Sequence, residues 1–389
     1  MKVLNICLSG PFSDGWNYQD NLLTKYQKIN GNDVTIIAPK WSWNSKGELQ
    51  FIDKDIYYNE DGVKIIRLNM KNKENINKKF KRYCNLYNVI EQEAPDVLFV
   101  HGCQFLDLKY VSKYVKNHKV LLFIDNHADF SNSATNFFSK YILHGIIWRH
   151  NVRNIKPYVN KFYGVLPARV DFLHNVYGIP MSSIELLVMG ADDEYIKKYC
   201  TNDNYLSMRK KYHIRNDDFV IVTGGKIDHA KLQTLTLMKS IKALDNKKIK
   251  LFVFGSVDKS VKSEFDSLCD ENTIYLGWAD TIMAYEFFNM ADLVAFPGRH
   301  SVFWEQVVAI GKPMICKYWE GTTHIDIGGN VIFLYNDSVE EYKTIINDLY
   351  LNIDDKYTLL LNNSKKNEKN EFLYSEIAKK SIGSEKKNV

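Results

Sequence analysis

No apolar run in this 389-residue sequence approaches the roughly 20 residues needed to cross a bilayer. The opening stretch, MKVLNICLSG, passes from a short strand-like segment straight into a Gly-Pro loop, so neither a signal peptide nor a membrane anchor is expected there. Six cysteines (Cys7, Cys84, Cys103, Cys200, Cys269 and Cys316) are scattered without CxxC or Cys/His spacing, which points to a reduced, cytoplasmic protein without structural zinc. There is no GxGxxG fingerprint after the first strand-like run, and a dinucleotide is therefore not an expected cofactor. Low-complexity tracts and short repeats are missing too. The net charge of +5 is modest, and no nucleic-acid partner is expected.

What is present is an alternation. Apolar runs at Val3–Leu8, Asp33–Ala38, Val63–Leu68, Asp96–His101, Val120–Asp125, Lys161–Leu166 and Glu185–Met189 lack a period of two, as strands buried on both faces should. Between them lie helical periods, with Tyr18, Leu22, Leu23 and Tyr26 on one face and Phe80, Tyr83, Cys84, Tyr87 and Ile90 on another. The alternation resumes at DFVIVTGG (218–225) and continues through KPMICK (312–317). The pattern predicts an α/β chain of two Rossmann-like, doubly wound parallel-sheet domains facing each other across a cleft, with 45% hydrophobic residues to fill two cores. The expected boundaries are 1–193, 194–365, and a C-terminal helix and tail over 366–389 that crosses back to the first domain.

Open α/β sheets bind ligands beyond the carboxyl ends of their strands, and two clusters fall there. In VTGGKIDHAK (222–231) a strand ends in Gly224-Gly225 and leads through Lys226 to Lys231. Small residues let the backbone approach a ligand, and two lysines about one turn apart can straddle a diphosphate. Gly-Gly-Lys alone is weak, and an ordinary turn with exposed lysines is the competing reading. In ADLVAFPGRHSVFWEQVVAIGKPMI (291–315) a buried strand ends in Pro297-Gly298 and a helix is expected near Ser301. The amides of His300, Ser301 and Val302 would then face an anion, with Glu305 one turn further on to accept hydrogen bonds from a ribose diol. The alternative for Glu305 is a solvent-facing helical position.

These segments resemble the large family of retaining GT-B glycosyltransferases whose signature is Glu, seven residues, Glu, then Gly-x-Pro. EQVVAIGKP (305–313) is similar to the second half of that signature, ADLVAFP to the strand before it, and YLGW (275–278) to the strand beside the nucleotide base. Lys226 and Lys231 fall on the family's basic pair, which binds the donor diphosphate. LLVMGADD (186–193) resembles the segment that closes the N-terminal domain. The family's first glutamate falls on Pro297, and Arg299 and His300 are the polar residues available to replace its contacts. In LSGPFSDGWNYQDNLL (8–23), Gly15 lies in the loop that the family uses near phosphates and acceptor, and His127 resembles the histidine near the reacting carbon.

The resemblance implies transfer of a hexosyl or N-acetylhexosaminyl group from a UDP- or GDP-linked sugar to a glycan or polyprenyl-diphosphate-linked acceptor of cell-surface polysaccharide synthesis. Retention of configuration is expected, with no metal and no cofactor beyond the nucleotide-sugar co-substrate. Catalysis would rest on His127, Lys226 and Lys231. Donor binding would rest on Gly15, Gly225, Lys226, Lys231, Arg299, His300, Ser301, Val302 and Glu305. A nucleotide-sugar epimerase or hydrolase on the same fold, or a non-catalytic carbohydrate-binding relative, are the alternatives. Charge adds one expectation: residues 1–200 hold 26 Lys+Arg against 20 Asp+Glu, whereas the remainder holds 25 against 26. Much of the excess lies in KNKENINKKFKRY (71–83), whose Lys78, Lys79, Lys81 and Arg82 beside Phe80 and Tyr83 predict peripheral contact with an anionic membrane on its inner face. A solvated helix face is the plainer reading of that segment.

Overall fold

The computed structural model describes residues 1–44, 47–71, 76, 79–366 and 371–383. The chain forms two compact units, one of residues 1–189 with the segment from Tyr374 onward, the other of Gly190–Leu373. The sequence reading had put these divisions at 193 and 365. In the first unit eight strands form one sheet in the order β10-β9-β8-β7-β1-β2-β6-β5. They are β1 (Lys2–Ile6), β2 (Asp33–Pro39), β5 (Ile56–Tyr58), β6 (Lys64–Leu68), β7 (Val97–Val100), β8 (Leu121–Asn126), β9 (Lys161–Gly164) and β10 (Ile184–Leu186). All neighbours are parallel except the edge pair β5/β6. Strands β3 (Trp41–Trp43) and β4 (Leu49–Phe51) make a separate antiparallel pair.

The second unit carries six parallel strands in the order β13-β12-β11-β14-β15-β16. These are β11 (Phe219–Gly224), β12 (Ile249–Phe254), β13 (Thr273–Gly277), β14 (Leu293–Phe296), β15 (Met314–Lys317) and β16 (Val331–Leu334). Burial of the central strands is complete or nearly so, which is why their sequences run as unbroken Val, Ile, Leu and Phe. In each unit the chain winds outward from the first strand and then returns beside it, at β1/β7 and at β11/β14. Those two positions are the topological switch points, where the loops diverge and leave room for a ligand.

Five helices matter below. Helix α1 (Gln19–Ile29) follows β1 and buries Leu22, Leu23 and Tyr26 as the spacing predicts, whereas Tyr18, expected on the same face, is the residue ahead of the helix and is exposed. Helix α2 is Leu86–Glu93, shorter than the expected run from Phe80. The expected start fails because Lys81 and Asn85 take left-handed backbone, with φ of +51° and +59°, which ends any helix between them. Helices α3 (Gln233–Leu244) and α4 (Phe303–Ile310) lead away from β11 and β14. Helix α5 (Tyr374–Ser381) returns to the first unit and buries Tyr374, Ile377 and Ala378 against α1.

Within the basic segment 71–83 the described side chains take different places. Lys73 and Lys78 lie outside the described residues. Arg82 pairs with the buried Asp107 at 3.3 Å, and Tyr83 is buried and donates from its hydroxyl to the Leu8 carbonyl. Lys81 turns toward a cavity of the first unit, where burial pulls its ammonium down to about 8. Tyr83 is therefore packed inward, Arg82 is part-exposed against Asp107, and Lys79 remains exposed.

Candidate functional site

At the β11/β14 switch point of the second unit, Gly224, Gly225, Lys226, Lys231, Gly298, Arg299, Ser301 and Trp304 line one pocket. The glycines are there for close approach. A Cβ on Gly255 would fall 1.9 Å from the Gly225 carbonyl oxygen, and Gly255 itself has φ +120°. One on Gly298 would meet the Lys231 side chain at 3.3 Å, so the lysine stem passes across bare backbone. Lys226 is exposed and pairs with Asp228 at 3.0 Å. Lys231 sits in the short turn His229–Lys231, two residues before α3 and not at its first position. Burial lowers its ammonium from the ordinary lysine value, against the pull of Asp228. An incoming anion would relieve that penalty.

Helix α4 begins at Phe303, not at Ser301, so His300, Ser301 and Val302 form the turn that leads into it. Phe303 N–H donates to Ser301 Oγ at 3.3 Å, and Trp304 N–H donates to the Ser301 carbonyl at 3.0 Å. Arg299 stands over the Trp319 ring at 6.0 Å, and the Trp319 indole donates to the Gly298 carbonyl at 3.2 Å.

Glu305 is fully buried, which rules out the solvent-facing alternative. Its Oε1 lies 2.7 Å from His300 Nε2 and 2.9 Å from His324 Nε2. Burial alone would raise this carboxyl, yet His300 and then His324 outweigh it and hold the group well below the usual carboxylate range. Oε2 is buried without a hydrogen-bond partner among the described residues, and so is Nδ1 of His324. His324 was missed by the sequence reading: it sits on the turn Thr323–Ile325 after β15, with no spacing that ties it to Glu305. Among the described residues these three are the one group of side chains with metal-ligand composition and proximity. Both rings meet the same carboxylate oxygen at direct hydrogen-bond distance, so the trio is a buried network that is satisfied at Oε1 and left open at Oε2 and at His324 Nδ1.

The first unit holds a cavity of about 480 Å³ at its own switch point, lined by residues that include Cys7, Gly10, Gln19, Asp20, Lys81, His101, Gln104 and His127. Asp125, buried at the end of β8, organises it. Its Oδ1 accepts from Gly102 N–H at 2.8 Å, while Oδ2 lies 3.1 Å from His127 Nε2 and 3.4 Å from His101 Nδ1. Despite burial, His127 and His101 keep Asp125 well below the carboxylate range. Asp20 shifts the other way: burial raises its carboxyl, and the two histidines only moderate the effect. Both side-chain polar atoms of Gln19 are buried without a partner among the described residues. His127 thus joins this cavity, half-exposed and held by Asp125, whereas Gly15 lies in an exposed turn ahead of α1 and the glycine on the cavity wall is Gly10.

The candidate residues therefore divide into His127 with Gly15 in the first unit and the remaining eight in the second. The polar groups that sequence reasoning missed, Gln19, Asp20 and His101, lie in runs that read as helix start and strand end.

No family model matches the sequence. A stretch of 173 residues, 43% of this chain, is 25% identical to GDP-fucose protein O-fucosyltransferase 2 of Plasmodium berghei (strain Anka). It covers 34% of that relative, so the chain spans about a third of the length of the curated protein it matches. Among solved structures, sucrose-phosphate synthase from Thermosynechococcus elongatus aligns with a TM-score of 0.66 and 12% identity over 97% of this chain and 96% of that one. Anabaena HepE in complex with UDP-glucose aligns at 0.63 with 13% identity, over 99% of both chains. The UDP-GlcNAc 2-epimerase from Neisseria meningitidis, bound to UDP-GlcNAc, aligns at 0.60 with 14% identity, again over 99% of both. Two Rossmann-like, mainly parallel sheets, each with a pocket at its strand-return point, give this chain the fold of the GT-B glycosyltransferases.

Proposed function

We propose that the protein is a glycosyltransferase that takes a hexosyl or N-acetylhexosaminyl group from a UDP- or GDP-linked sugar and passes it to a glycan or polyprenyl-diphosphate-linked acceptor in cell-surface polysaccharide synthesis. The observation that carries the reading is the pair Lys226 and Lys231 beside the bare backbone of Gly225 and Gly298, at the strand-return point of the second unit. The fold of neighbours solved with UDP-glucose supports it. A departing nucleoside diphosphate gains negative charge as the bond to the sugar breaks. Lys226, Lys231 and the amides ahead of α4 would stabilise that charge, with fixed donors in place of a metal ion. Glu305 is assigned to the ribose diol, but it is fully buried and stands outside the pocket lining, so its unpartnered Oε2 would meet a hydroxyl only after the 299–302 turn moves aside. Arg299 or His300 is assigned the sugar contacts of the family's first glutamate, whose position Pro297 takes here.

His127, oriented by Asp125, is assigned to the reacting carbon. Retention follows from the family resemblance: the acceptor hydroxyl would attack on the face from which the diphosphate leaves, and the departing phosphate oxygen would take its proton. Work at the inner face of a membrane belongs to the same proposal. The test is release of nucleoside diphosphate from a panel of UDP- and GDP-sugars, with polyprenyl-diphosphate-linked glycans as acceptors and a chelator present. Turnover that EDTA abolishes and magnesium restores would contradict the metal-free mechanism.

One observation favours a second reading. An epimerase or hydrolase needs titratable groups of its own, and Asp20, His101 and His127 around the first unit's cavity are such groups. Incubation with UDP-GlcNAc alone, followed by proton NMR, separates the two: C2 epimerisation or free sugar without an acceptor would favour that reading over transfer. A non-catalytic carbohydrate binder would bind a donor and release nothing from it.

A further inference from the structure

Helix Phe138–Trp148 of the first unit packs Leu143 and Ile147 against the core and is apolar on its outer side as well. It buries Ser139, His144 and Trp148, and His144 is tied down by Ser133 Oγ at 2.9 Å and Tyr177 OH at 2.8 Å. Its outer side shows large apolar groups: Phe137 is 75% exposed, Phe138 47%, Tyr141 51% and Ile146 60%, with Phe130 nearby at 50%. These side chains are grouped. The rings of Phe137 and Tyr141 lie 4.8 Å apart, and Ile146 follows one wide turn later. Exposed apolar groups gathered in this way mark an interaction surface.

Charge says what covers it. From Phe130 to Val170 the sequence contains no Asp or Glu, while it carries Lys140, Arg149, Arg153 and Lys156, besides Lys161 and Arg169, which pair with Glu185 and Asp129. Lys140 reaches over the rings of Phe130 and Tyr141 at 5.1 and 5.4 Å, and Lys79 over Phe138 at 5.8 Å. Cations within an aromatic patch, on a stretch without acids, match an anionic leaflet, into which such a helix sinks its apolar side while the cations meet head groups.

We propose that this helix docks the first unit onto an anionic lipid bilayer. It shares its root with the cavity, since Ser133 both lines the cavity and bonds His144. A sugar carried on a membrane lipid would then arrive beside Asp20 and Gln19. That last step rests on the transferase reading, whereas membrane docking itself does not.

The experiment is co-sedimentation of the full chain with vesicles of phosphatidylcholine alone and of phosphatidylcholine with phosphatidylglycerol, at low and high salt. The native chain should bind the mixed vesicles, and high salt or removal of phosphatidylglycerol should release it. Combined Phe137→Ser, Tyr141→Ser and Ile146→Ser should lower the partition coefficient by about tenfold or more, with the melting temperature unchanged. Lys79→Gln with Lys140→Gln should weaken binding and reduce its salt dependence. Equal sedimentation of native chain and serine variant, or none by either, would overturn the proposal. So would a native dimer that the serine variant converts to monomer by light scattering, because the patch would then belong to a second copy. Thermal shift with nucleotide sugars, run on the same samples, reports separately on the transferase reading.

Discussion

At the scale of single residues, the two lysines and the buried glutamate make the sharpest demands. Replacing Lys226 or Lys231 by Ala should weaken donor binding by about tenfold or more, since each charge-assisted hydrogen bond contributes roughly 1.5–3 kcal/mol. Isothermal titration with the active donor measures this, and unchanged affinity in both variants would remove them from the phosphate site. Glu305 carries a pH signature. Its carboxyl is held below the ordinary glutamate range in the folded chain, so its contribution to stability is fully present above about pH 4.3 and is lost as the pH falls through the folded value. Glu305→Gln should therefore cost about 1.5–3 kcal/mol at neutral pH, and that difference should shrink in acid. Denaturant melts of both proteins from pH 7 to pH 3 give the answer. At this scale the motifs led to Lys231, which lines the second unit's pocket, and to Glu305, which is fully buried and outside that lining. The sequence was silent on His324, which reaches Glu305 across 19 positions of chain, and on Asp20, whose place in α1 looks like an ordinary acidic first turn.

Elements tell the same story with different physics. The seven apolar runs of the first half all proved to be strands of one sheet, because doubly buried parallel strands leave an unbroken hydrophobic imprint. Three short strands escaped. β3, β4 and β5 have three residues each and sit at an edge or in a separate pair, where half-exposed positions leave no pattern. The expected helix from Phe80 failed on two left-handed residues that no periodicity reveals. The loop after β11 depends on its neighbour after β12. A methyl group at Gly255 would collide with backbone atoms of Gly225, so Gly255→Ala must displace the Gly225–Lys226 turn and adopt a φ that alanine resists. That backbone cost is about 1–3 kcal/mol. A fall in melting temperature joined to a loss of donor affinity is expected in Gly255→Ala. Wild-type affinity in this variant would show that the turn does not shape the phosphate site.

For the whole molecule, the division into two units has a thermodynamic counterpart. The chain leaves the first unit after Met189 and returns with α5, where Gln27 donates to Ser381 Oγ at 3.1 Å and Tyr163 OH donates to the Lys380 carbonyl at 2.8 Å. Truncation after Leu373 removes the buried Tyr374 and Ile377, each contributing roughly 1.5–3 kcal/mol. Calorimetry should then show a lower melting transition for the first unit and an unshifted one for the second. Equal shifts in both would mean that α5 supports the molecule as a whole. Binding of a nucleotide sugar at Lys226 and Lys231 is the claim on which the rest depends, and thermal shift against a panel of UDP- and GDP-sugars tests it most directly. A ligand at a hundred times its dissociation constant stabilises by about 2.7 kcal/mol. The native chain should gain several degrees with at least one nucleotide sugar, and the Lys226→Ala, Lys231→Ala double variant should gain little or nothing. No shift with any nucleotide sugar, or the same shift in the double variant, would contradict the account.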